Sequence, residues 1–108
     1  MTEREARVAR NESRFRYRNE ALHRHAGILP GTIAYACECP ADDCRELIVL
    51  TAEQYESVRA DDRQFLVARG HEVPDVEAVV EDNGTWLVVR KLGEAGEVAE
   101  RLAPSPGS

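Results

Sequence analysis

Three cysteines fall within eight residues of this 108-residue chain, and they constrain its fold more than any other feature. Cys37, Cys39 and Cys44 are the only cysteines, and His71 follows Cys44 later in the chain. Three thiolates and one imidazole form a ligand set suited to a closed tetrahedral zinc site. We therefore predict that these four residues bind zinc and that the fold is organised around the metal.

The spacing of the cysteines indicates how they meet. Residues i and i+2 of a strand point to one face, so Cys37 and Cys39 can share an ion if the chain bends at Glu38. A short loop, residues 41–43, then returns Cys44. The glycine before His71 leaves the backbone free to aim the imidazole, and the carboxylate of the next residue, Glu72, is placed to orient the ring.

The sequence alone leaves other interpretations of the cluster open. A disulfide would leave one cysteine unpaired, and an i,i+2 bridge is strained. Buried thiols without metal and a thiol redox sensor are further alternatives. For the fourth ligand, His23, His25, Asp42 and Asp43 compete with His71. The first two lie on opposite sides of a predicted helix, and a soft thiolate site favours imidazole over carboxylate.

A catalytic zinc site usually keeps one coordination position open. In that alternative the three cysteines hold a zinc-bound water, and Glu38 or Glu72 acts as the base. The order Cys-Glu-Cys-Pro differs from the H-x-E and P-C-x-x-C motifs of zinc nucleobase deaminases. The chain also has no glycine-rich phosphate loop and no G-x-S-x-G motif. We therefore expect a non-enzymatic protein.

Composition indicates one small domain and its compartment. With 43% hydrophobic residues the chain can build only a small core, which a metal would strengthen. No apolar run approaches the roughly 20 residues of a membrane span. The first residues lack the hydrophobic segment of a secretory signal. We expect the cytoplasm, where reducing conditions favour metal binding over disulfides.

Local patterns predict an α+β fold with a long N-terminal helix, a short middle helix and a small, mainly antiparallel sheet around the zinc site. Residues 2–26 contain no glycine or proline and read as one helix. The predicted strands are Thr32–Ala36, Glu46–Leu50, Phe65–Ala68, Val76–Val80 and Trp86–Val89. Thr51 and Gln54 form a capping-box pattern that opens a helix to about Ala60. Asp82-Asn83-Gly84 predicts a hairpin.

The chain thus divides into a basic helix (residues 1–26), a zinc-binding α+β domain (27–103) that ends in a short helix after Gly93, and a disordered tail (104–108). The helix segment holds seven arginines and four glutamates, whereas the rest holds seven basic and sixteen acidic residues. A basic arm is therefore attached to an acidic body.

The N-terminal helix has two kinds of surface. Phe15 and Leu22 lie on a narrow apolar stripe, which predicts the side that docks on the body. Arg10, Arg14 and Arg18 form a ridge at i,i+4 spacing that we expect to face outward and to recognise a protein partner. A nucleic-acid-binding role and a simply solvated face are the alternatives. The spacing also predicts ion pairs within the helix, from Glu3 to Arg7, from Glu12 to Arg16 and from Glu20 to Arg24.

Several segments together are similar to a family of small uncharacterised actinobacterial proteins. The matching pieces are Asn11-Glu-Ser-Arg-Phe-Arg16, Asn19-Glu20, Cys37-Glu-Cys39, Asp43-Cys44, Glu53-Gln-Tyr-Glu-Ser-Val-Arg-Ala60, Arg69-Gly-His-Glu-Val-Pro74 and Val88-Val89. The resemblance covers residues 11–91 and includes all three cysteines. It favours His71 as the fourth ligand and implies an accessory or regulatory role, with no activity to carry over.

Overall fold

The computed structural model describes residues 3–26, 29–41 and 43–103. Eight elements follow one another: α1 (Glu3–Ala26), β1 (Thr32–Ala36), β2 (Leu47–Thr51), α2 (Ala52–Arg59), β3 (Gln64–Ala68), β4 (Glu77–Asp82), β5 (Trp86–Lys91) and α3 (Gly93–Arg101). The predicted α+β class is confirmed. The predicted disorder of residues 104–108 and the alternative ligand Asp42 lie outside the described residues.

The strands form two small antiparallel sheets, whereas the sequence predicted one. The first pairs β1 with β2, and the second has the order β3-β5-β4. In β5 the stretch from Trp86 to Val89 is buried without alternation, as expected for a central strand that is covered on both faces. In the β4–β5 pair the register shifts between Val79 and Glu81, so β4 carries an irregularity there.

Two local signals act as the sequence predicted. The Thr51 side chain accepts from the backbone N–H of Gln54, and the Gln54 side chain accepts from the backbone N–H of Thr51, which completes the capping box of α2. In the hairpin between β4 and β5, Gly84 has a φ of +90°, which a side chain would strain. The capping box and the hairpin turn each involve residues within a few positions of one another, so local sequence is enough to specify them.

Helix α1 lies along the body and contributes to its interior. Phe15 is buried, and Leu22 packs against the main apolar cluster. Arg16 is also buried, with its guanidinium over the ring of Phe65 and donating to the backbone carbonyls of Asp62 and Ala99. The helix is thus fixed by polar contacts to distant segments as well as by the predicted apolar stripe.

Two of the predicted ion pairs within α1, those of Glu12 and Glu20, are replaced by pairs with the body. Glu12 is buried and contacts the ammonium of Lys91 instead of Arg16. Glu20 faces Arg59 at 4.0 Å. Lys91 also pairs with Glu77, so one buried cation connects α1, β4 and β5. These charges lie inside because their partners compensate the loss of water.

Candidate metal centre

The structure brings together all four residues that the sequence predicted as zinc ligands. The ligand atoms of Cys37, Cys39, Cys44 and His71 all lie within 4.8 Å of one another. Nδ1 of His71 is 3.6 Å from the sulfurs of both Cys37 and Cys44. Zinc–sulfur and zinc–nitrogen bonds of about 2.3 and 2.05 Å at tetrahedral angles separate S and N by about 3.6 Å. The cluster therefore has the dimensions of a metal site.

Each ligand lies where a strand begins or ends. Cys37 and Cys39 follow β1, and the backbone N–H of Cys37 donates to the carbonyl of Glu46, which extends the β1–β2 ladder by one step. Cys44 closes a turn from Ala41 just before β2. The centre is therefore positioned by regular backbone hydrogen bonds and not by a free loop.

His71 reaches the cluster from a turn that follows β3. Its N–H donates to the carbonyl of Ala68, and Gly70 within this turn has a φ of +92°. The carboxylate of Glu72 accepts from the backbone N–H of Gly70. The sequence assigned Glu72 to the imidazole ring; the structure has it bracing the turn that carries the ring.

Every sulfur of the cluster accepts a backbone N–H. Ala68 donates to Cys37 at 3.2 Å, Ala41 donates to Cys39, and Glu46 donates to Cys44. Backbone N–H donors lower the cost of holding thiolate charge in a buried site. Cys37 and Cys39 are buried, while Cys44 and His71 are half-buried, so the centre has a protein side and a solvent side.

The thiols influence one another's ionisation. A hydrogen bond donated by Cys37 lowers the pKa of Cys39 to about 5. The same bond, together with burial, raises the pKa of Cys37, and burial raises the pKa of Cys44. All three sulfurs can ionise together only when a cation lies between them.

Glu38 lies between two cysteines in sequence, but its side chain is occupied elsewhere. It is fully buried and accepts four hydrogen bonds, from Asn19, Tyr55, Arg59 and the backbone N–H of Leu66. Its own N–H donates to the carbonyl of Leu66. Strand alternation places it opposite its neighbours and was the signal that could have identified this role. In this arrangement both oxygens of the carboxylate are occupied by donors from α1, α2 and β3.

The Cys-Glu-Cys segment also covers the outer edge of β3. The N–H groups of Leu66 and Ala68 point away from β5, and they are taken by the Glu38 carboxylate and the Cys37 sulfur respectively. An exposed strand edge is a site of unwanted pairing. The candidate metal centre and the buried carboxylate thus join the two sheets.

The other histidines do not join the cluster. His23 binds the hydroxyl of Tyr35 at 2.9 Å through Nδ1 and faces Glu56 at 3.3 Å through Nε2. It therefore connects α1, β1 and α2. His25 is exposed on α1, and Asp43 is exposed beside the cluster.

The chain was compared with known proteins. No family model, no curated protein and no solved structure matches it. The resemblance to an actinobacterial family therefore stays a prediction from the motifs. No helix in the described part of the chain combines the length and apolar character needed to cross a membrane.

Proposed function

We propose that this protein is a non-enzymatic, zinc-stabilised accessory or regulatory module of the cytoplasm that recognises another protein. The observation that carries the proposal is the convergence of three sulfurs and one imidazole nitrogen within 4.8 Å. Soft thiolate ligands with one imidazole favour zinc among the common divalent ions. In a reducing compartment such a cluster binds metal in preference to forming a disulfide.

A structural role for the zinc follows from the number of ligands. Four protein groups fill a tetrahedral shell and leave no position for water. Glu38, the nearest carboxylate in sequence, is held by four donors and is not free to act as a base. The ligands come from the ends of β1 and β3 and the start of β2, so one ion would tie both sheets together.

Recognition is assigned to the exposed side of α1. Arg10, Arg14 and Arg18 are all solvent-exposed, on a helix that the buried Arg16 and Asn19 anchor to the body. A rigid helix that presents a row of arginines suits contact with another macromolecule, because arginine binds carboxylates through a planar fork. The body would then serve to hold this helix in place.

Two measurements test the proposal. Protein purified without chelator is expected to contain one equivalent of zinc by elemental analysis, and the Cys39→Ser variant much less. The triple variant Arg10→Gln, Arg14→Gln, Arg18→Gln is expected to keep its zinc and its melting temperature but to lose the partner that the wild type captures from its host. Less than half an equivalent of zinc in the wild type would contradict the proposed zinc site. Unchanged capture of the partner by the folded triple variant would contradict the proposed recognition surface.

A further inference from the structure

The exposed side of α1 forms a longer basic surface than the three-arginine ridge. Its members are solvent-exposed and follow one another mainly at spacings of three and four: Arg7, Arg10, Arg14, Tyr17, Arg18 and Arg24. At 100° per residue they cover an arc of about 120°, and at 1.5 Å per residue they extend over about 25 Å. We call these six residues the outer face. Its centre lies about 110° around the helix from the stripe of Phe15 and Leu22.

The outer face is basic because the two acidic residues between Arg7 and Ala26 point toward the body. Between Arg7 and Ala26 the sequence has two acidic residues, Glu12 and Glu20. Glu12 is buried against Lys91, and Glu20 faces Arg59 on α2. The two carboxylates that could neutralise these arginines on an isolated helix therefore pair with basic side chains of the body instead. Five positive charges remain together on one exposed surface.

The charge of the remaining chain argues for a protein ligand over a nucleic acid. Residues 27–108 carry seven basic and sixteen acidic side chains, a difference of −9. A phosphate backbone long enough to contact several arginines would also approach this acidic body, and phosphate contacts dominate nucleic-acid affinity. A single acidic helix can lie along α1 without meeting the body. Its 5.4 Å pitch matches the rise between successive arginines, which is about 4.5 to 6 Å from Arg7 to Arg18.

Tyr17 gives the outer face an apolar contact near its centre. Its side chain is 59% exposed, between Arg14 and Arg18. An exposed tyrosine provides a large contact area at low entropic cost and is common in protein interfaces. Arginines around an aromatic residue are the composition of a typical binding hot spot.

We propose that the outer face binds an acidic helix of a partner protein, with carboxylates at three- and four-residue spacing paired to the arginines and a small or apolar residue packed on Tyr17. This rests on the proposed function, since it specifies the partner that the module recognises. The arginines orient the partner helix and speed its association, and Tyr17 forms the part of the contact from which water is excluded.

The test uses the full zinc-loaded chain and two labelled synthetic helical peptides of equal composition, rich in glutamate, alanine and leucine. In one peptide the glutamates recur at three and four residues on one face, and in the other they are permuted around the helix. Fluorescence anisotropy is expected to give at least about fivefold tighter binding of the first peptide, weakening as salt rises. Arg10→Gln with Arg14→Gln, and separately Tyr17→Ala, should each reduce binding severalfold.

The matched control is Arg45→Gln with Arg101→Gln, which removes the same charge from exposed positions outside α1. It should leave binding within about twofold. Equal binding of both peptides, or an equal loss in the control variant, overturns the proposal. So does tighter, Arg10- and Arg14-dependent binding of a random-sequence DNA duplex or of anionic vesicles. If the peptides fail but the host partner is still captured through the arginines, only the acidic helix is wrong and the proposed function stands.

Discussion

The side-chain amide of Asn19 holds the backbone of Ala36 from both sides: it donates to the carbonyl at 2.7 Å and accepts from the N–H at 2.8 Å. The same amide donates to Glu38 at 2.9 Å. A helix side chain thus supplies the hydrogen bonds that a further strand would give to the edge of β1. The contact also sets the position of α1 relative to the cysteines that follow Ala36.

We expect Asn19→Ala to destabilise the protein by about 2–4 kcal/mol, because it leaves the N–H and carbonyl of Ala36 without their partner in a largely dry site. Denaturant unfolding of the zinc-loaded protein measures the change. His25→Ala, at an exposed position of the same helix, is the control and should stay within about 0.5 kcal/mol. A loss from Asn19→Ala no larger than the control would mean that the amide does not anchor the helix.

Glu38→Gln tests the buried carboxylate with almost no change of shape. The four groups that contact this side chain are all donors. They are satisfied only if both terminal atoms of the side chain accept hydrogen bonds. The amide NH₂ of glutamine would meet a donor, and Arg59 would keep only the more distant carboxylate of Glu20 as an ion-pair partner. We expect a loss of about 3–5 kcal/mol in unfolding free energy.

The control for this prediction is Glu46→Gln, which makes the same chemical change at an exposed position near the cysteines. It should be nearly neutral. The folded fraction of Glu38→Gln should still contain one equivalent of zinc, because Glu38 is not a ligand. Zinc loss without loss of stability would instead assign Glu38 to the metal.

How much of this structure the sequence predicted depends on the range of each interaction. The capping box of Thr51 and Gln54 and the turn at Gly84 were predictable because the interacting groups are within a few residues. The cysteine cluster was predictable because closely spaced cysteines are typical of a metal site. His71 was predicted as the fourth ligand because few other residues could serve. Strand ends moved by one or two residues, since end positions depend on tertiary pairing.

The buried charges could not be predicted, because their partners are far away in sequence. Arg16 is bound by carbonyls 46 and 83 residues later. Lys91, the only lysine of the chain, lies in the interior between Glu12 and Glu77. Propensity and periodicity place charged residues on the surface unless a compensating partner is known. The two-sheet arrangement was not predicted for the same reason. The sheets meet through contacts between Glu38 and Leu66, which are far apart in sequence.

Metal removal and ligand loss should have the same effect on stability. Cys39→Ser is expected to lower the unfolding free energy by more than Val58→Ala, a buried apolar control that should cost about 2 kcal/mol. Zinc binding contributes about 10–16 kcal/mol in zinc-finger peptides, and that energy is coupled to folding. Excess chelator should bring the wild type down to the stability of Cys39→Ser and leave the variant unchanged. Equal melting temperatures with and without chelator would contradict a structural metal.

The pH dependence of stability should reveal the burial of Glu12 beside Lys91. Burial raises the pKa of Glu12 from 4.5 to about 7, against the opposing attraction of Lys91. The folded protein therefore keeps a proton that the unfolded chain releases between pH 4.5 and 7, so this residue's stabilising contribution is complete below pH 4.5 and is lost as the pH rises through 7.

Between pH 6 and 8 the loss from Glu12 amounts to about 1 kcal/mol. Zinc affinity changes in the opposite direction, because thiolates bind metal better at higher pH. The comparison is therefore made between the zinc-loaded wild type and Glu12→Gln, which share that dependence. We expect the variant to gain about 1 kcal/mol relative to the wild type from pH 6 to 8, measured by urea unfolding at each pH. A constant difference across this range would mean that burial does not raise the pKa of Glu12, because its attraction to Lys91 offsets the loss of water.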